Sequence, residues 1–198
     1  AHLGGTAMMV GFIWTIQLLS YPMMAAVPAD GFVAYEAAHT RRVPTFCTPS
    51  LADYLASNGP WDQLVRLENI TLERVEHEQV VQLHDQLTVA VVPVPHRDEY
   101  SETVGFRIAG PARTAVFIPD IDKWERWERD INTLLQEVDA ALLDGTFFEN
   151  GELPNRDMSE IPHPFVEESM ERFSDLPAPE KEKVIFTHFN HTNFSIRG

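Results

Sequence analysis

Leu87-Thr-Val-Ala-Val-Val-Pro-Val-Pro-His96 is the stretch that decides the fold class. From Leu87 to Val94 it carries no charge and is mostly Val, Leu and Ala, the composition of a buried strand. It ends on His96, so a polar ring stands just past a core strand. Two later stretches repeat the arrangement. Ala115-Val-Phe-Ile-Pro-Asp-Ile-Asp122 places Asp120 and Asp122 after a strand, and Val184-Ile-Phe-Thr-His-Phe-Asn-His191 places His188 and His191 after another. Polar side chains at the carboxyl ends of core strands converge on one sheet edge, where a rigid scaffold can present them to a metal. Neutral imidazole and carboxylate are good ligands for zinc or iron, and a carboxylate can bridge two ions. Any one such histidine is also consistent with a hydrogen-bonded ring at a strand end. Three clusters with the same placement are what give the metal reading its weight.

Outward from these strands the chain reads as an α/β protein. Val43–Thr48 is a short strand. Pro49 and Ser50 open a helix over Leu51–Ser57, which Asn58-Gly59-Pro60 ends. Ile70–Val75 and Gln79–Leu83 are strand-like. Thr103–Ala109 and Thr114–Ile118 form a hairpin around Gly110-Pro111. Leu87–Val94 and Thr114–Ile118 are expected to be neighbours in one mixed sheet. Trp124, Trp127, Ile131, Leu134, Leu135 and Val138 follow a helical period and predict one helix over Trp124–Val138 with these residues in the core. Ala141–Leu143 is a buried strand, Pro164–Phe173 a helix and Val184–Thr187 the last strand. Asn150–His163 is the longest irregular stretch, of the kind that often carries function.

The composition bounds the function. The 198 residues are 44% hydrophobic and 23% charged, a globular balance that excludes a wholly disordered chain. A net charge of −15 argues against a nucleic-acid binder that relies on a basic surface. One cysteine, Cys47, excludes an internal disulfide framework and a four-cysteine zinc module. It suits a reducing compartment, and it lies on a strand with no base paired to it in sequence, so it is expected in the core. The chain begins with Ala1, which fits a fragment.

From Leu3 to Ala29 there is no charged residue. This run exceeds the ~20 apolar residues that span a bilayer. It reads as a membrane or membrane-derived helix, with a buried hydrophobic helix as the alternative. A cleavable signal peptide is disfavoured because no basic region precedes it. Phe32–Arg42 reads as a short amphipathic helix with Asp30 as its N-cap. The expected location is therefore the cytoplasm, with membrane contact through residues 3–29. WTIQLLSYPMM and FVAYEAAHTRR resemble the opening of a small bacterial membrane protein family over residues 5–42. That places a boundary near residue 42, with residues 1–42 as an apolar segment and 43–198 as the α/β half-domain.

VPVPHRDEYSETVGFRI, FIPDIDKWERW, ALLDGTFF, MSEIPHPF and VIFTHFNHTN resemble the metallo-β-lactamase fold superfamily, most nearly proteins related to coenzyme PQQ synthesis protein B. FCTPSLADYLASNGPWDQLV fits the same group. The likeness covers residues 43–193. It implies a partial αββα sandwich with a metal site at one sheet edge, here preceded by an apolar helix. Carried over residue by residue, it makes His96, Asp120 and His188 metal ligands, with Asp120 bridging. Asp122 and His191 then stand behind the ligands. It also implies that His163, in EIPHPF, donates a proton to a leaving group. The alternative for His163 is a loop histidine that caps the following helix. Asp144 in LLDGTFF is expected to form a turn or to support the ligands from behind.

The sequence departs from the family in one important respect. The H-x-H-x-D-H motif that supplies most ligands of the first metal is not found; AHLGG offers His2, but Gly5 stands where its last histidine would be. His96, Asp120 and His188 are three ligands, about what one catalytic zinc takes. The cofactor expectation is one zinc ion or none rather than two, with iron or manganese as alternatives. Two function classes follow. One is a metal-dependent hydrolase acting on a small molecule. The other is a non-catalytic remnant or chimera held to a membrane or partner by its apolar segment.

Overall fold

The computed structural model describes residues 43–196, so Leu3–Ala29, His2 and the expected helix over Phe32–Arg42 lie outside the described residues. The strands are β1 (Val43–Cys47), β2 (Ile70–Arg74), β3 (Val80–His84), β4 (Leu87–Pro93), β5 (Val104–Ala109), β6 (Thr114–Ile118), β7 (Ala140–Asp144) and β8 (Val184–Thr187). The α-helices are α1 (Pro49–Ser57), α2 (Trp61–Arg66), α3 (Ile131–Gln136), α4 (Val166–Arg172) and α5 (Ala178–Lys181). Helices α2 and α5 were not expected from the sequence. Among the described residues no helix is long and apolar enough to cross a membrane.

The described residues fall into two compact units. One comprises 43–45 and 58–72, and the other 46–57 and 73–196. The first holds α2, whose Arg66 pairs with Asp62 one turn before it at 3.2 Å. β1 and β2 form a two-stranded sheet. The second unit holds a six-stranded sheet in the order β3-β4-β5-β6-β7-β8. The first four strands are antiparallel, and β7 and β8 join in parallel. Parallel neighbours need crossover connections, and α3 lies between β6 and β7, with α4 and α5 between β7 and β8. β4 and β6 share this sheet, as expected, but they are not neighbours. β5 stands between them, because the β5–β6 hairpin pairs back onto β4 through its first strand.

One face of the sheet is the main core. Val92, Val116, Ile118, Ala141 and Leu143 pack there with Trp124, Trp127, Ile131, Leu134, Leu135 and Val138. The helical period therefore identified these core residues, but the element differs from expectation. A 3-10 turn covers Trp124–Arg126, the chain is extended at Trp127, and α3 starts afresh at Ile131. The break comes from Asp130, whose carboxylate accepts from the Asn132 amide at 3.2 Å and the Thr133 hydroxyl at 3.1 Å, as an N-cap. Each indole is anchored: Trp124 Nε1 donates to Ser169 Oγ and Trp127 Nε1 to the Pro93 carbonyl, both at 2.9 Å.

The other face carries a row set by register, Val91, Phe106, Phe117, Leu142 and Ile185, one residue from each of β4 to β8. Part of this face borders a cavity of about 270 Å³, with Cys47, Leu51, Val75, Val91, Val104 and Phe106 among its lining. Cys47 is buried, as expected of a core residue, and that burial, with the Glu73 charge, outweighs the effect of Arg74 and pushes its thiol pKa up.

The stretch after β7 is held by a small core of its own, Phe147, Met158, Ile161 and Phe165. It is also tied to the stretch after β8. Buried Glu152 accepts from Thr192 Oγ1 at 2.8 Å, and Asn193 Nδ2 donates to the Gly145 carbonyl at 2.7 Å. These ties set the two loops that carry His163 and His188.

Candidate metal centre

His96 leaves β4 through Pro95, and Asp120 leaves β6 through Pro119. The Asp122 amide donates to the Pro95 carbonyl at 2.7 Å, so the two strand ends are stitched together. His96 Nε2 thereby comes within 3.1 Å of Asp120 Oδ1. His163, from the loop after β7, brings Nδ1 to 3.4 Å of the same oxygen. The rings of His96 and His163 lie 5.0 Å apart and tilted by 55°. Each of His96, Asp120 and His163 offers a ligand atom within 4.8 Å of the others, the one such group of three among the described residues.

Both contacts to Asp120 Oδ1 have ion-pair distances but lack hydrogen-bond alignment. The oxygen is buried without a hydrogen-bond partner, and so is His96 Nδ1. Buried polar atoms in folded proteins are normally satisfied. A carboxylate oxygen left this way beside two imidazoles is the donor set that a divalent zinc-type ion accepts. The residues present therefore fit such an ion.

Behind this cluster lies Asp144 at the end of β7, fully buried. Its Oδ2 accepts from the Ile121 amide at 3.2 Å and contacts His163 Nδ1 at 2.8 Å. Its Oδ1 accepts from the Thr146 amide at 2.8 Å and the Thr146 hydroxyl at 2.7 Å. Burial opposes charge on the His163 ring, but the Asp144 hydrogen bond and the charges of Asp144, Asp120 and Asp122 outweigh it, so the His163 pKa is raised.

The predicted site residues divide as follows. His96 and Asp120 come together, and His163 joins them. His188 is not in that group; its Nδ1 lies 3.3 Å from Thr146 Oγ1, and its backbone is left-handed at φ 61°. Asp122 is engaged by the Lys123 amide and the Arg126 guanidinium, both at 2.7 Å. His191 is exposed. Sequence reasoning passed over Thr146, although its place in Asp144-Gly-Thr146 just after a buried strand was the available signal.

Residues 30–189 match the sequence pattern of the Beta-lactamase superfamily domain. Among solved structures, the chain is similar to Zn(2+)-bound PqqB from Methylobacterium extorquens, at 19% identity and a TM-score of 0.60, over 77% of this chain and 56% of that one. It is similar to the metallo-beta-lactamase fold protein YhfI from Bacillus subtilis, at 13% identity and a TM-score of 0.53, over 80% of this chain and 57% of that one. It is also similar to a diphosphatase from the PhnP family, at 17% identity and a TM-score of 0.50, over 91% of this chain and 55% of that one. These likenesses concern the fold, and the chain spans a little over half the length of each structure. No curated protein sequence matches it. The likeness of residues 5–42 to a membrane protein finds no support in these comparisons, and the pattern match takes in residues 30–42.

Proposed function

This chain belongs to the Beta-lactamase superfamily, and on that premise we propose that its His96–Asp120 corner is a hydrolase-type metal site for one divalent ion. The observation that supports this is the unpartnered, buried Asp120 Oδ1 set between two imidazoles at 3.1 and 3.4 Å. Zinc is the first candidate, with iron and manganese as alternatives. Such an ion supplies Lewis-acid polarisation and makes a water nucleophilic near neutral pH. The substrate class is a small ester, amide or phosphodiester.

The protein's own groups have definable tasks. His96 and Asp120 would hold the ion. Asp144 fixes His163 by its 2.8 Å contact to Nδ1, the nitrogen that also faces Asp120 Oδ1 at 3.4 Å. The family likeness gives the third ligand position to His188 and the proton-donor role to His163.

The test uses the purified full chain loaded with zinc. About one zinc per chain, together with turnover of a generic phosphodiester or lactone that His96→Ala abolishes, is the expected result. A chain that takes up no metal overturns the metal site. Metal without turnover above the His96→Ala level overturns the hydrolase reading and leaves the metal site standing.

A further inference from the structure

Resting on the metal reading above, with His188 as its third ligand, we infer that Thr146 is the positioning residue for that histidine: its hydroxyl oxygen takes the Nδ1 proton of His188 and leaves Nε2 as the nitrogen that can bind an ion. The first support is a count of protons. Thr146 Oγ1 lies 2.7 Å from Asp144 Oδ1 and 3.3 Å from His188 Nδ1. A carboxylate only accepts, and a hydroxyl has one proton to give. That proton goes to Asp144, whose same oxygen takes the Thr146 amide at 2.8 Å. Toward His188 the hydroxyl oxygen can then only accept, so the ring proton sits on Nδ1. In the neutral ring Nε2 is left bare, the form in which imidazole binds a metal. A metal-ligating histidine is almost always fixed at its other nitrogen by a carboxylate, a carbonyl or water. Here the buried Asp144 carboxylate acts on His188 through one hydroxyl.

The second support is how closely the backbone holds the two residues together. β7 and β8 pair in parallel with Asp144 opposite Thr187, so Gly145-Thr146 and His188 leave the sheet side by side. The Gly145 amide donates to the Thr187 carbonyl at 2.8 Å, and the Asn190 amide to the Thr146 carbonyl at 3.0 Å. Gly145 leaves no room for a side chain. A Cβ there would meet side-chain atoms of Phe186 and Phe189 at 3.0 Å and the Thr187 carbonyl oxygen at 3.1 Å.

The third support is the conformation of His188 itself. Its φ of 61° is left-handed, which is uncommon for a residue with a Cβ and persists where the surroundings over-determine it. His188 is exposed, so packing does not fix its ring, and the hydrogen bond to buried Thr146 takes that task.

The experiment is ring-nitrogen NMR of the metal-free full chain at mildly alkaline pH, followed by zinc binding of Thr146 variants, with far-UV circular dichroism confirming fold. In the wild type the His188 signals should be those of a protonated Nδ1 and a bare Nε2. Thr146→Val keeps the branched shape and removes the hydroxyl. It should lose this tautomer preference and weaken zinc binding by roughly 10- to 100-fold, the usual effect of losing a partner behind a ligand. Thr146→Ser keeps the hydroxyl and should restore both. A wild-type His188 protonated at Nε2 overturns the inference, and this measurement needs no variant to fold. Zinc binding by Thr146→Val as tight as that of the wild type also overturns it. So does Thr146→Ser binding as weakly as Thr146→Val, which would make the role of Thr146 one of packing. A wild-type chain that shows the Nδ1 tautomer but takes up no zinc fails the metal reading, while its tautomer still supports the positioning of His188 by Thr146.

Discussion

The Ile121 amide, the Thr146 amide and hydroxyl, and His163 Nδ1 all converge on the carboxylate of Asp144. A fully buried charge persists only when its acceptor sites are filled, and here they are. Asp144→Ala would leave the Ile121 and Thr146 amides unpaired, remove the acceptor of the Thr146 hydroxyl and free the His163 ring. Breaking a buried charged network in this way costs about 3–5 kcal/mol, which urea denaturation followed by circular dichroism should show as a lowered midpoint at an unchanged slope. Trp124→Phe is a milder case. It removes the Nε1 donor from fully buried Ser169 and should cost about 1–2 kcal/mol, measured in the same way. The sequence made Asp144 visible as a carboxylate after a buried strand. Its partners were not legible, because Ile121 and His163 lie 23 and 19 residues away and only the sheet brings them together.

Among the elements, strand existence was readable from apolar runs, and strand order was not. β4 and β6 look alike in sequence, yet the hairpin partner β5 separates them. The tryptophan-rich segment shows the opposite limit: its period gave the right buried residues, while Asp130 starts a new helix inside it. The two sheet faces offer a direct contrast. Leu143 is fully buried in the main core, whereas Ile185 on β8 is 53% exposed. Leu143→Ala should cost about 2–5 kcal/mol, and Ile185→Ala only a few tenths, the usual range for an exposed site; the two denaturation midpoints test this. Helix α1 makes a pH-dependent prediction. Thr48, just before the helix, and Ser50 in its first turn meet Glu102 from before β5: Thr48 Oγ1 donates at 2.6 Å and Ser50 Oγ at 2.8 Å. Burial raises the Glu102 pKa, but these hydrogen bonds outweigh it and hold the carboxyl below its ordinary value. A carboxyl whose folded pKa is lowered contributes stability above its unfolded pKa and loses it as pH falls through the folded value. Glu102→Gln should therefore lower stability at neutral pH by about 1 kcal/mol, the net contribution of a typical hydrogen bond. The difference from wild type should shrink as pH drops below the ordinary glutamate range. A gap that stays constant down to acid pH would remove Glu102 as the cause.

At the scale of the whole molecule, the site joins three parts of the chain that folding must first bring into register. Asp120 follows β6, Asp144 ends β7, and the loop that carries His163 is tied to the loop after β8 by Thr192–Glu152 and Asn193–Gly145. Those staples come from Thr192 and Asn193, just after His191, to which the sequence analysis assigned no role. An ion held by His96 and Asp120 would cross-link the ends of β4 and β6, and an unfolded chain offers no such preformed pair. Binding to the folded state alone stabilises by about 2.7 kcal/mol at a free ligand concentration of 100 times Kd. A protein of this size gains roughly 2–4 °C in Tm for each kcal/mol, so saturating zinc should raise Tm by roughly 5–10 °C. The shift should reverse on chelation and vanish in His96→Ala, whose own Tm without zinc should stay near that of the metal-free wild type. Magnesium should not substitute, because it favours six oxygen ligands over imidazole. Differential scanning fluorimetry with zinc, magnesium and chelator reads all of this from one protein preparation. A zinc-induced rise that survives in His96→Ala would place the binding elsewhere on this acidic chain.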